Sequence, residues 1–234
     1  MTQRLDLDAI IFDKDGTLFD FGTTWNVFGG RLIMALAEGD RDLEHRLAIA
    51  THYDLETQSY LPSSPVIAGT NREAAELFHS ELPGYTIEEL EKTLMQMALN
   101  LPQAEVVPLR RYFERLRAAG LKVAVMTNDT ERAARAHMER ANCLDVVDFI
   151  VGFDSGFGAK PTPDPLWACA RHVGVSPERC AMVGDSTHDL VAGRAAGMLA
   201  IGVLTGMAAR SDLDPYADLV LNDIGEIPAL ISVS

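Results

Sequence analysis

The stretch Ala9-Ile10-Ile11-Phe12-Asp13-Lys14-Asp15-Gly16-Thr17 decides the fold of this chain. Its first four residues are apolar and end at Asp13, a pattern typical of a buried parallel strand whose carboxyl end faces a ligand. Two further apolar runs, 121–126 and 180–183, are followed at once by Thr127 and by Gly184-Asp185. Because the carboxyl ends of parallel strands meet at one edge of a sheet, polar groups from three strands are expected to face one crevice.

The sequence after Pro108 predicts an α/β fold. Helical and extended patterns alternate there, which is typical of a doubly wound parallel sheet with helices on both faces. The predicted helices cover 109–119, 131–141, 165–173 and 190–196, and the predicted strands cover 122–126, 149–151, 180–183 and 199–203.

The segment between Phe19 and Pro102 has a different texture and is predicted to be helical throughout. Apolar residues recur there at spacings of three and four, interrupted by Gly and Pro breaks. We therefore expect a core of residues 1–20 and 105–234, with residues 21–104 as an inserted α-helical domain. The predicted helices of this insertion are 25–37, 42–60, 71–80 and 87–99.

Composition limits the classes of partner. A formal net charge of −14 disfavours the capture of nucleic acid or of an anionic membrane surface. The start of the chain lacks a basic stretch followed by an apolar one, and no window is long and apolar enough to cross a bilayer. A cytoplasmic enzyme is therefore expected. The three cysteines lack metal-binding spacing and are interpreted as buried structural thiols. The sequence carries no signal for an oligomeric state.

Four segments in a fixed order carry a resemblance to a known family. They are Asp13-Lys14-Asp15-Gly16-Thr17, Thr127, Lys160 and Gly184-Asp185-Ser186-Thr187-His188-Asp189. Their order resembles the haloacid dehalogenase-like hydrolase superfamily, whose phosphatases use Asp-x-Asp-Gly-Thr, Ser/Thr, Lys and Gly-Asp-x-x-x-Asp. The resemblance covers residues 5–20 and 105–234 and implies a Rossmann-like core. The position of the insertion is similar to the helical cap of phosphoglycolate phosphatase-like members.

The resemblance implies roles for the first segment. Asp13 corresponds to the nucleophile that forms an aspartyl-phosphate, which divides one difficult displacement into two easier ones. In an extended segment every second side chain points the same way, so Asp15 is expected beside Asp13 while Lys14 points elsewhere. Asp15 is then the natural general acid and base. Thr17 is expected to hold Asp15 in place.

A charge count predicts a bound Mg²⁺. Four carboxylates and one lysine leave the site with a negative excess before an anionic substrate arrives, and each like-charge contact costs several kcal/mol, on the order of 4, at about 4 Å. Oxygen ligands suit Mg²⁺. Asp13 and Asp185 are the expected side-chain ligands. The family pattern adds the backbone carbonyl of Asp15 and gives Asp189 a supporting role, although Asp189 is equally explained as a residue of the first turn of a helix.

Two further segments are predicted to bind phosphate. Thr127 and Asn128 lie where a strand turns into a helix, so a hydroxyl and free N–H groups can hold phosphate oxygens. Capping of that helix by Asn128 or Asp129 explains the same residues. Lys160 precedes a proline-rich stretch that could aim its ammonium at the charge that develops on phosphorus. A solvated loop lysine is the alternative.

The resemblance implies a Mg²⁺-dependent phosphatase that hydrolyses a small phosphomonoester, such as phosphoglycolate or a sugar phosphate, and takes no nucleic-acid or membrane partner. Two alternatives are a phosphomutase of the β-phosphoglucomutase type and a catalytically silent phosphate-binding module. A dehalogenase fits less well, because a halide leaves without protonation and would make Asp15 unnecessary.

Overall fold

The computed structural model of the protein describes residues 5–231, which form two compact units. One unit comprises the chain up to Asp20 and from Ala104 onwards, and the other is Phe21–Gln103. The second boundary lies one residue earlier than the sequence predicted. The helices in the described part of the chain are too short or too polar to cross a membrane.

Within residues 5–231, eight strands form two sheets, a parallel sheet of six strands and a two-stranded hairpin. The strands are β1 (Ala9–Phe12), β2 (Tyr53–Asp54), β3 (Ser59–Tyr60), β4 (Lys122–Met126), β5 (Phe149–Val151), β6 (Cys180–Gly184), β7 (Leu199–Val203) and β8 (Leu219–Leu221).

The six-stranded sheet has the order β5-β4-β1-β6-β7-β8, and every neighbouring pair is parallel. β1 lies between β4 and β6 and is buried on both faces. Ile10 and Phe12 belong to one hydrophobic cluster, whereas Ala9 and Ile11 belong to another. This alternation explains why β1 is apolar at every position, and the arrangement confirms the predicted α/β fold.

The helices differ from the predicted ones mainly at their ends. They are α1 (Val27–Ala37), α2 (Arg41–Ala50), α3 (Asn71–His79), α4 (Ile87–Ala98), α5 (Leu109–Ala118), α6 (Glu131–Arg140), α7 (Asp164–Val173), α8 (Thr187–Ala195) and α9 (Arg210–Leu213). The predicted start of α8 at Leu190 is wrong by one turn, because Ser186 caps the helix. Neither β8 nor α9 was predicted, since each is a short element near one edge of the sheet.

The predicted helix 42–60 is wrong beyond Ala50, where the chain forms the β2–β3 hairpin. Asp54 accepts hydrogen bonds from the N–H groups of Glu56 and Thr57, which favour a turn over a continued helix. Tyr53 and Tyr60 pack edge to face across the hairpin, with ring centroids 5.1 Å apart. The insertion is therefore not helical throughout.

Two segments of the first unit, one before and one after the insertion in the chain, pair with each other. The backbone N–H of Asp20 donates to the carbonyl oxygen of Ala104 at 2.9 Å. Phe19 forms an antiparallel bridge with Glu105 beside this bond. The chain segments on either side of the insertion are therefore held together within the first unit by one bridge and one hydrogen bond.

Candidate active site

Three neighbouring strands deliver polar side chains to the same edge of the sheet. Asp13 follows β1, Thr127 follows β4 and Asp185 follows β6, and β1 pairs with both other strands. All three residues are buried. The structure therefore brings together the three strand ends that the sequence singled out, at the carboxyl edge where ligands of open α/β sheets bind.

Lys160 enters this edge from the loop between β5 and α7. Its Nζ lies 2.5 Å from Oδ1 of Asp13 and 2.6 Å from Oδ1 of Asp189, and it donates to the carbonyl oxygen of Met126 at 3.0 Å. Only 3% of the side chain is exposed. The reading of Lys160 as a solvated loop lysine is therefore wrong, because three acceptors hold a buried ammonium at the strand ends.

Asn128 fixes the backbone on which Lys160 is carried. Its side-chain Nδ2 donates to the carbonyl oxygen of Lys160 at 2.9 Å, and its Oδ1 accepts from the backbone N–H of Lys160 at 3.0 Å. The side-chain amide thus fixes the Lys160 loop through two hydrogen bonds. A role of this side chain in phosphate binding stays a prediction.

We expect Asn128→Ala to lower kcat/KM about 10- to 100-fold without unfolding the protein. Both hydrogen bonds to the Lys160 backbone are lost, so the loop that carries the ammonium is held less firmly, and small misplacements of a reacting group cost about this much. The measurement is steady-state hydrolysis together with thermal unfolding. Asn222→Ala is the matched control, because the side-chain Nδ2 of Asn222 also donates a hydrogen bond, but to Glu226 at the surface. Equal losses of kcat/KM in both variants would contradict the role of Asn128 in fixing the Lys160 loop.

Asp185 is enclosed by the two glycines Gly16 and Gly206. A Cβ atom added at Gly206 would lie 1.7 Å from Oδ2 of Asp185, and one added at Gly16 would lie 2.3 Å from the same atom. Gly16 also has a φ of +79°, which favours glycine. The hydroxyl of Thr205 donates to the carbonyl oxygen of Gly16 at 2.6 Å and ties the two glycine loops together.

Thr17 does not hold Asp15, contrary to the sequence-based expectation. Its hydroxyl donates to Oδ1 of Asp185 at 3.4 Å. The turn at Gly16 points the Thr17 side chain toward the end of β6. Thr17 therefore supports the carboxylate of the last motif.

Three carboxylates lie close enough to hold one cation. Asp13, Asp185 and Asp189 each offer an oxygen, and these atoms lie within 4.8 Å of one another. A buried set of hard oxygen donors fits Mg²⁺, which prefers carboxylates completed by waters and a substrate oxygen. The structure thus adds the Asp189 side chain to the predicted pair. The backbone carbonyl of Asp15 stays a predicted ligand.

Asp189 serves the helix and the site at the same time. Its Oδ2 accepts from both the backbone N–H and the hydroxyl of Ser186, which closes the first turn of α8. Its Oδ1 contacts Lys160. The explanation of Asp189 as a residue of the first helical turn is therefore correct, and its supporting role near a metal stays a prediction.

The negative excess of the site appears in the pKa values of its acids. Burial raises the pKa of Asp13 from an ordinary 3.8 to about 7, with Lys160 opposing and the carboxylates of Asp189 and Asp15 reinforcing the shift. Burial and the neighbouring Asp13 also raise the pKa of Asp185. A bound cation would relieve this repulsion, which supports the fit of the cluster to Mg²⁺.

We expect Mg²⁺ binding to weaken as the pH falls from 8 to 6. A pKa of about 7 means that Asp13 is ionised and ready to bind metal above that pH and increasingly protonated below it. Each pH unit below 7 should therefore lower the apparent affinity, at most about tenfold per group. Calorimetric titration with Mg²⁺ at pH 6 and pH 8 measures the effect. An affinity that is equal at both values would contradict the shift.

Asp15 is held by Lys14 rather than by Thr17. Nζ of Lys14 lies 2.6 Å from Oδ2 of Asp15 and 3.2 Å from Oδ2 of Asp129, and it contacts Nδ1 of His137 at 3.1 Å. The expectation that Lys14 points away from its acidic neighbours is wrong, because the chain leaves the strand conformation after Asp13. Burial lowers the pKa of Lys14, but the two carboxylates raise it by more, so it stays a cation.

Thr127 lies at the start of the connection between β4 and α6. Its hydroxyl accepts from the backbone N–H of Asp129 at 3.1 Å, and its side chain is buried at the strand end. Thr130, and not Asn128 or Asp129, supplies the side-chain cap of α6 by accepting from the N–H of Ala133. The capping explanation for Asn128 and Asp129 is therefore wrong.

Five residues of the site were not predicted from the sequence. The Thr205-Gly206 pair follows the end of β7 and had the same signal as the other motifs, a polar or glycine residue after an apolar run. Lys14 carried a weaker signal, a lysine between two acids at a strand end. His137 carried none, because only the packing of α6 against the sheet brings it to Lys14, and Asp129 was interpreted only as a helix cap.

Comparison with known proteins supports one family. The model of the haloacid dehalogenase-like hydrolase family matches residues 7–197. A phosphoglycolate phosphatase from Chromobacterium violaceum is 42% identical over 112 residues, which are 48% of this chain and 50% of that enzyme. A phosphoglycolate phosphatase from Nitrosospira multiformis is 28% identical over 231 residues, 98% of each chain. The chain thus spans half of the first relative and nearly all of the second.

The fold is also found among solved structures. The crystal structure of a hydrolase from Pseudomonas syringae matches with a TM-score of 0.68 and 21% identity, covering 96% of this chain and 100% of that one. At this identity the likeness concerns the fold alone.

Proposed function

Because the chain belongs to the haloacid dehalogenase-like hydrolases, we propose that it is a phosphatase that hydrolyses small phosphomonoesters through an aspartyl-phosphate on Asp13. The observation that carries this proposal is the buried contact of Lys160 with Asp13 and Asp189 beside the end of β4. A carboxylate nucleophile and an ammonium at one point are what phosphoryl transfer needs, since its catalysis is mainly positioning and charge stabilisation.

The first step transfers the phosphoryl group to Asp13. A carboxylate oxygen of Asp13 forms a bond to phosphorus while the bond from phosphorus to the ester oxygen breaks, and that oxygen takes the electron pair. Asp15 gives it a proton, so the product leaves as an alcohol. Lys160 lies where it would stabilise the negative charge on the transferring group. The N–H groups that follow Thr127 would hold its other oxygens.

The second step returns the enzyme to its starting state. Water attacks phosphorus and gives a proton to Asp15, and the bond from phosphorus to Asp13 breaks to yield inorganic phosphate. Asp13, Asp185 and Asp189 would hold Mg²⁺, which neutralises charge on the phosphate oxygens when it is bound. Residues Phe21–Gln103 occupy the position of a cap in the sequence, and we propose that role for them.

The relatives support a choice of substrate class. Both reported relatives are phosphoglycolate phosphatases, which act on a small alkyl phosphate. We therefore propose a small alkyl phosphate, with phosphoglycolate as the first candidate. Sugar phosphates form the second group for a test.

The test is release of inorganic phosphate from a panel of small esters, with and without Mg²⁺. Phosphatase activity predicts release that depends on Mg²⁺ and is fastest for one alkyl phosphate, ranked by kcat/KM. The products of sugar phosphates are analysed in parallel. Formation of an isomeric sugar phosphate with little inorganic phosphate would favour a phosphomutase, and binding without any turnover would favour a silent phosphate-binding module.

A further inference from the structure

The ammonium of Lys14 is the centre of a buried cluster next to the proposed general acid and base. The residue has no exposed surface. Its three neighbours come from different parts of the first unit: Asp15 follows β1, Asp129 lies between β4 and α6, and His137 is in α6. Lys14 therefore links Asp15 to the segment that follows β4 and to helix α6.

The cluster fixes the position of Lys14 closely. An ammonium has three N–H donors, and three acceptors lie 2.6 to 3.2 Å from this one. A buried charge is costly unless it is paired in this way, so the ammonium has little freedom to leave. His137 is itself held edge to face against Phe19, with ring centroids 6.4 Å apart. Lys14, which holds Asp15, is thus itself fixed by Asp129 and His137.

We propose that Lys14 is a positioning residue that holds Asp15 in place for proton exchange with the substrate. This inference rests on the proposed function, in which Asp15 protonates the leaving alcohol. Lys14 contacts Oδ2 of Asp15 at 2.6 Å and so fixes the orientation of this carboxyl group. Proton transfer requires a donor held within hydrogen-bond reach of one oxygen, and a support of this kind supplies that precision.

A positioning role of Lys14 predicts a kinetic result that a purely structural role of Lys14 does not. An alkyl phosphate needs a proton on its leaving oxygen, whereas acetyl phosphate releases acetate without one. Loss of a positioned acid therefore slows the alkyl ester selectively. General damage to the phosphate site or to the fold slows both esters alike.

The experiment compares kcat/KM of Lys14→Met for two small esters. One is acetyl phosphate and the other is the alkyl phosphate that the unmodified enzyme hydrolyses fastest. We expect a loss of about 10- to 100-fold for the alkyl ester and less than about threefold for acetyl phosphate. Asp15→Asn should show the same pattern with a larger loss. Lys122→Met is the matched control, because Lys122 is half-exposed at the opposite end of β4.

The outcomes separate this inference from the proposed function. Equal losses on both esters, or no loss on either, overturn the role of Lys14 and leave the phosphatase intact. Hydrolysis of neither ester by the unmodified protein overturns the proposed function itself. If Lys14→Met does not fold, His137→Leu decides, since it removes one acceptor of Lys14 and should give the same selective loss. His137→Asn keeps an acceptor near Nδ1 and should restore the ratio of the two esters.

Discussion

Asp13→Asn is expected to eliminate turnover and to stabilise the metal-free protein at pH 8. An amide cannot form the aspartyl-phosphate, and removal of a nucleophile typically costs about 10⁴-fold or more in kcat. The structural reason for the stabilisation is the raised pKa of Asp13, about 7. A carboxyl whose pKa is raised on folding binds more protons in the native state, so its ionisation lowers the free energy of unfolding as the pH rises from about 4 to 7.

The gain in the free energy of unfolding from Asp13→Asn depends on pH, because only the ionised carboxylate is costly to bury. At pH 8 the wild-type carboxylate is ionised and its full cost is present, whereas at pH 5, where only the unfolded chain is largely ionised, about a third of the cost is present. We expect a gain of about 1–3 kcal/mol at pH 8, because the rise in pKa from 3.8 to about 7 corresponds to roughly 4 kcal/mol and the buried Asn amide retains part of that cost. This corresponds to a few degrees in Tm.

Thermal unfolding in EDTA at pH 5 and pH 8 measures the stability, and phosphate release measures the turnover. Mass spectrometry must show that the Asn side chain has not reverted to Asp by deamidation. Asp214→Asn is the matched control, because that carboxylate is exposed and its ion pair with Arg210 is long, 3.9 Å. A destabilised Asp13→Asn at pH 8, or one that keeps a tenth of the activity, would refute the assignment.

Gly206→Ala is expected to lower kcat/KM at least about 100-fold by disturbing the cation site. A methyl group at this position would overlap Oδ2 of Asp185 at 1.7 Å, and Gly16 blocks movement to the other side. The carboxylate must therefore rotate or shift, and a shift of about 1 Å in a reacting group costs roughly this much. Mg²⁺ affinity should fall together with activity.

Gly84→Ala is the matched control for Gly206→Ala. A Cβ atom at Gly84 would meet nothing within 4 Å, and neither glycine has a φ in the left-handed region. The backbone cost of the two substitutions is therefore the same in kind, and their difference isolates the contact with Asp185. Calorimetric titration with Mg²⁺ and steady-state kinetics measure it. Unchanged Mg²⁺ affinity in Gly206→Ala would contradict a metal role for Asp185.

The central sheet could be predicted from the sequence because the same short pattern marks each of its inner strands. Each inner strand is an apolar run that ends at a polar residue, and the order of the motifs carried the resemblance. The hairpin at 53–60 was missed because Asp54 stabilises its turn through hydrogen bonds that a helical spacing of apolar residues does not reveal. Residue spacing alone favoured a helix there.

The candidate site was predictable where residues follow strands and unpredictable where side chains meet across the fold. Asp13, Thr127 and Asp185 follow strand ends, so their meeting point could be inferred. The contacts of Lys14 with Asp129 and His137 join residues more than a hundred positions apart, and only the packing of α6 sets them. The partner of Thr17 was wrong for the same reason, since it depends on the turn at Gly16 and on the end of β6.

The hydrogen bond between Asp20 and Ala104 joins the two segments of the first unit that flank the inserted unit in the chain. Because these flanking segments are already paired, a segment of another length between them would leave the register of β1 unchanged. The entropy of closing a longer loop grows only slowly with length, by about 0.6 kcal/mol per doubling. Recombination at these two residues would thus replace the inserted unit while the strands of the first unit keep their pairing.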